Sequence, residues 1–98
     1  MLRVTSTRSP PTDEEIQAAA RNWASWVSWY MAEFRERVPT RVAMADLMGV
    51  TSEALHYQLK AGSRRLPTLP LLMGASRVIG AGIDVMLFTP HPPAVSRK

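Results

Sequence analysis

The stretch TRVAMADLMGVTSEALHYQLKAG, residues 40 to 62, decides how this chain is read. Thr40 is a favoured N-cap, the run from Arg41 to Met48 contains neither Gly nor Pro, and Gly49 supplies the left-handed residue that commonly ends a helix. Thr51 or Ser52 then caps a second helix running to about Lys60, which Ala61-Gly62 closes. Two short helices therefore follow one another across a tight turn. Ala45, Val50 and Leu55 are the small and apolar residues that let such a pair cross closely.

Upstream, Pro10 and Pro11 end any preceding structure, and Thr12 with Glu15 has the spacing of a capping box. Asp13, Glu14 and Glu15 also suit the positive end of a helix, which explains this acidic cluster without any catalytic role. No Gly or Pro interrupts Asp13 to Val38, and Pro39 disfavours helical geometry in the residue before it. The expectation is one long helix from Asp13 to Val38. At 100° per residue, Ile16, Ala19, Ala20, Trp23, Trp26, Val27, Tyr30, Phe34 and Val38 form its apolar stripe, and Trp29 lies off it. Residues 1–11 are expected to be a flexible arm.

Downstream, the basic link Ser63-Arg64-Arg65 leads to Leu66-Pro67, and Thr68 is placed to cap a fourth helix with Pro70 in its first turn. Gly80 and Gly82 close that helix, Ile83 to Phe88 make a fifth, and residues 89–98 are expected to be a disordered, proline-rich tail. Strand periodicity and internal repeats are both lacking in the sequence. The reading is an all-α chain with one domain over residues 12–88.

Composition narrows the function. The chain's 98 residues suffice for one modest core, and 46% hydrophobic with 20% charged residues is the balance of a folded globular protein. There is no cysteine, and His56 and His91 are the two histidines, which excludes a disulfide framework, a cysteine nucleophile and a Cys/His zinc site. His56 has no Ser/Asp constellation around it, so neither an enzyme nor a cofactor is expected. No apolar run is long enough to span a bilayer and no secretory leader pattern opens the chain, so the expected location is cytoplasmic. The net charge is +4, and the segment holding the first long helix is itself acidic. The positive charge therefore falls on the rest of the chain, which makes a polyanion the first partner to consider.

Residues 40 to 88 resemble the lambda-repressor-like, Cro/cI-type helix-turn-helix domain. Met44-Ala45 followed by Gly49-Val50-Thr51 is similar to that family's leucine-alanine and glycine-valine-serine pattern. Leu69, Leu72, Val78-Ile79-Gly80, Ile83-Asp84 and Met86-Leu87 are similar to its last two helices. The resemblance implies a five-helix domain, here with an extended N-terminal helix, in which helix 52–60 enters the major groove of double-stranded DNA. It implies base reading by Ser52, Glu53, His56 and Tyr57, and phosphate contacts from Arg41, Thr51, Lys60, Ser63, Arg64 and Arg65. Gln58 departs from the pattern, where an apolar residue is usual, and suggests a recognition helix slightly rotated so that Leu59 takes the inward contact.

A five-helix core covers only part of so long a first helix. Trp23, Trp26, Val27 and Tyr30, or alternatively Val85 and Phe88 of the last helix, are expected to form a homodimer or partner interface, the alternative being that the N-terminal half of the long helix packs back on helices four and five as extra core. The function implied is a sequence-specific transcriptional regulator, a small dimeric repressor of bacterial or phage type associated with the nucleoid. Two alternatives stand beside it: the antitoxin of a toxin-antitoxin pair, holding a second small protein, and an interaction module that keeps the fold without DNA binding.

Overall fold

Five α-helices account for the regular structure of the computed structural model, which describes residues 10–61 and 65–89. They are α1 (Asp13–Glu33), α2 (Arg41–Met48), α3 (Ser52–Ala61), α4 (Leu69–Ile79) and α5 (Ile83–Phe88), and no strand occurs among the described residues. The protein is all-α. None of these helices is long and apolar enough to cross a membrane.

The capping box is formed as the sequence implies: the Glu15 amide donates to the Thr12 hydroxyl at 3.1 Å, and the Thr12 amide donates to Glu15 Oε1 at 2.9 Å. The far end of α1 differs from the expectation. The helix stops at Glu33, not Val38, because Phe34 adopts φ −116° and ψ 48° while its ring lies against Tyr30, the centroids 4.6 Å apart. Arg37 and Val38 amides both donate to the Phe34 carbonyl at 2.9 Å, which closes a turn. Residues 35–37 are charged and exposed and have nothing to bury, whereas the turn drives Val38 into the core. Burial of that side chain outweighs the few tenths of a kcal/mol per residue that continued helix would contribute.

The turn delivers the chain to Thr40, whose hydroxyl accepts from the Ala43 amide at 3.1 Å and starts α2. Gly49 then takes φ +79°, and the Gly49 and Val50 amides return to the carbonyls of the last turn, Val50 to Ala45 at 3.0 Å. This is a Schellman-type ending, which a residue with a Cβ enters only against strain. Of the two alternatives for the start of α3, Thr51 is the cap: its hydroxyl accepts from the Ala54 amide at 3.0 Å. Thr68 precedes α4 without making a side-chain cap, and α4 starts with Pro70 in its first turn.

Trp23, Val27, Val38, Met44, Met48, Leu55 and Met86 are fully buried and draw α1, α2, α3 and α5 into one core. α4 crosses α2 at Gly74, where an added Cβ would stand 2.5 Å from the Met48 carbonyl oxygen. The upper half of α1 packs along α5. Asn22 Nδ2 donates to the Leu87 carbonyl at 2.8 Å and Trp26 Nε1 to the Thr89 carbonyl at 2.9 Å. The last carbonyls of so short a helix have no internal partner, and α1 supplies one to Leu87 of α5 and another to the capping residue Thr89. Thr89, expected to open a disordered tail, is tied down by this contact. Residues 90–98 of that tail and residues 1–9 of the expected arm lie outside the described residues.

Candidate nucleic-acid interface

The structure corrects the first partner surface read from the sequence. Trp23 and Val27 are wholly buried, Tyr30 is 4% exposed and Trp26 8% exposed, so none of the four is available to a partner. The cause is α5, which covers the half of α1 that a shorter helix would have lacked. Trp29, off the apolar stripe, is half-buried and stands edge-on to Trp26 and to Phe34, with centroids 6.1 and 6.2 Å away. Such edge-to-face pairs are favourable beyond their burial and hold the end of α1 against the turn that follows.

Val85 and Phe88 remain on the surface. Phe88 is 76% exposed, the most of any large apolar side chain described, and it borders an apolar groove of about 460 Å³ lined also by Pro11, Ile16, Ala19, Leu66 and Leu87.

On α3, Leu55 and Gln58 face inward, which leaves Glu53, His56 and Tyr57 exposed on the outer face and Ser52 half-buried beside them. Gln58 is 4% exposed, and its Nε2 donates to the Arg65 carbonyl at 2.7 Å. The polar residue at this position therefore takes the inward place itself, and Leu59 is only partly buried. The rotation expected of α3 does not occur. The buried amide instead ties the end of α3 to the start of the connection to α4, and such a bond is what makes burying a glutamine tolerable.

Arg41 is exposed at the start of α2 and reaches across to α3, where its Nη1 lies 2.7 Å from His56 Nδ1. Arg41, Val42, Ser52, Glu53 and His56 line one open cleft of about 320 Å³ between the starts of the two helices. Four of the residues singled out in the sequence are thus brought together. Thr51 is exposed with its hydroxyl oxygen engaged as a cap, and Lys60 and Arg65 are exposed toward the other end of α3. Ser63 and Arg64 lie outside the described residues. Sequence reasoning missed Val42, which is 63% exposed at the cleft, and the link between Arg41 and His56.

The exposed side chains of this face are hydrogen-bonding groups. Among the described residues no group of three His, Cys, Asp or Glu side chains is placed to hold a metal ion. The face offers a carboxylate acceptor, an imidazole, a phenol and a hydroxyl in a row about one helix turn wide, with guanidinium and ammonium groups at its edges. Comparisons with protein-family models, with curated proteins and with solved structures return no match.

Proposed function

We propose that this protein is a lambda-repressor-like helix-turn-helix regulator that binds double-stranded DNA in a sequence-specific manner, with α3 in the major groove and no enzymatic activity. One observation carries the reading: Glu53, His56 and Tyr57 stand exposed along one face of a capped helix that is fixed to α2 by the Gly49 turn, with Arg41 beside them. Base edges in the major groove are read by such side chains at such spacing. Lys60 and Arg65, with Arg64 and Ser63 between them in sequence, supply phosphate contacts together with Arg41 and Thr51.

The regulator acts as a homodimer and a repressor in the cytoplasm, at the nucleoid. Phe88 and the apolar groove beside it support a two-fold contact through α5, since an exposed aromatic next to an apolar groove can serve both copies at once. The same surface favours the second reading, an antitoxin or interaction module that holds a different small protein. Co-purification of a partner that Phe88→Glu releases would select it.

Fluorescence anisotropy on a DNA duplex over a series of salt concentrations tests the DNA reading. A dimer neutralising several phosphates gives a slope of log K against log salt of about −4 to −8, at about −0.9 per phosphate. Charge reversal at Arg41, Lys60 and Arg65 together abolishes the binding. A salt-independent affinity, or binding that survives the triple reversal, refutes the interface.

A further inference from the structure

The cleft at the start of α3 contains a contact whose chemistry has only one direction. A guanidinium carries five N–H donors and no acceptor, and it stays charged at any pH a protein survives. Arg41 Nη1, 2.7 Å from His56 Nδ1, is therefore the donor, and Nδ1 must present its lone pair. A ring that accepts at Nδ1 carries its hydrogen on Nε2. Arg41 makes this bond although Glu53 lines the same cleft, and among the described residues Glu53 forms no ion pair. The bond fixes both the tautomer and the orientation of the ring. His56 is exposed, and Nε2 is the ring nitrogen that Arg41 does not engage.

We infer that Arg41 is a positioning residue for His56, which it turns into a donor-only reader that selects guanine at one position of the DNA site. The inference rests on the DNA-binding reading above and adds to it the base and the pair of residues that chooses it. Guanine presents N7 and O6 on its major-groove edge, two acceptors with no donor beside them. Cytosine presents an amino donor, which meets the fixed N–H with like polarity. Adenine places its N6 amino group next to N7 and is disfavoured for the same reason, and thymine offers one acceptor, O4, crowded by its methyl group, against the two of guanine. Glu53, one turn before His56 on the same face, is acceptor-only and suits the amino group of cytosine, so the two side chains together complement a G·C pair. Without Arg41 the ring would turn freely, and its outward nitrogen could donate or accept.

Two substitutions separate this role from plain attraction to phosphate. Arg41→Lys keeps the charge and a donor with no acceptor, while Arg41→Met loses both. Selection from a random duplex library by the wild type should enrich a site in which one guanine is preferred by about 3- to 10-fold, the worth of one neutral hydrogen bond. Arg41→Lys should keep that preference. Arg41→Met should bind weakly and lose it, as His56→Ala does, and the double variant Arg41→Met with His56→Ala should lose no more at that position. The tautomer is read in the free protein from long-range ¹H–¹⁵N correlations of the His56 ring, which should place the hydrogen on Nε2 in the wild type.

A hydrogen on Nδ1 overturns the inference without any DNA experiment. An Arg41→Met variant that keeps the guanine preference overturns it while leaving the DNA reading intact. A wild-type protein that enriches no sequence overturns the DNA reading and the inference with it.

Discussion

Gly74→Ala is the substitution whose outcome the structure fixes most sharply. On sequence grounds it should stabilise, because Gly within a helix is about 1 kcal/mol worse than Ala. The packing opposes this. A Cβ at Gly74 would stand 2.5 Å from the Met48 carbonyl oxygen, 2.9 Å from Met48 Cβ and 3.2 Å from the Met48 carbonyl carbon. Two of these three atoms are backbone and the third is fixed to it, so no rotamer change relieves the contact. α4 must retreat from α2 by several tenths of an ångström, across a contact in which Leu71 and Ala75 on one side and Met44, Ala45 and Met48 on the other are buried.

Overpacking of this kind costs about 1–3 kcal/mol, and the direct approach to a carbonyl places this case at the upper end. Set against the gain in propensity, the net loss is about 1–2 kcal/mol. At about 4–8 °C per kcal/mol for a chain of this size, the melting temperature should fall by about 4–16 °C. Thermal unfolding followed by circular dichroism at 222 nm measures it, with urea unfolding as a second route to the free energy. A Gly74→Ala variant as stable as the wild type, or more stable, would refute the close crossing of α2 and α4. Gly49 is the contrasting case, since a Cβ there meets nothing within 4 Å and only φ +79° is unfavourable. Gly49→Ala should cost about 1 kcal/mol from backbone strain alone, and Gly49→Asn less.

Other substitutions test the remaining parts of the account. Thr12→Ala removes the capping box and should cost about 1 kcal/mol in urea unfolding, with α1 fraying from its first turn. Trp23→Ala empties the centre of the core and should cost about 3–5 kcal/mol, so its effect on any self-association should appear only through unfolding; a folded monomer from this variant would restore Trp23 to an interface. Phe88→Glu should change stability by less than about 0.5 kcal/mol, because the side chain is 76% exposed, yet lower the sedimentation coefficient if α5 makes the dimer. Glu53→Ala should alter preference at a single base pair by about 1–3 kcal/mol, whereas a uniform loss over all sequences would remove it from the set of base readers.

The helix starts and stops were legible because they are written in local chemistry. Thr12 with Glu15, Thr40 and Gly49 each act within four residues of themselves, and each does in the structure what its type and spacing imply. The end of α1 was not legible, since it is set by Phe34 lying against Tyr30 and by the burial of Val38, which compete with an unbroken helical pattern. The stripe on α1 was legible as apolar, but its cover by the last helices stood only as the alternative to a partner interface. Asn22 and Trp26 find the carbonyls of Leu87 and Thr89 more than sixty positions along the chain, and no periodicity in either segment announces that pairing.

The candidate interface divides in the same way. Which side chains of α3 point outward followed from Leu55 and the helical repeat. Gln58 misled because its type is polar while its position, three residues after Leu55, is inward, and the Arg65 carbonyl that satisfies it lies in a loop. Arg41 and His56 were each singled out for DNA contact, but their contact with one another spans two helices and depends on how closely the Gly49 turn brings them together.

The central claim is that α3 reads a DNA sequence, and the most direct test is in-vitro selection from a random duplex library at near-physiological salt, where unspecific binding is weak. The account predicts enrichment of a two-fold symmetric site with half-sites about 10 bp apart, the spacing of one helical turn. A library that emerges as random as it entered would contradict it.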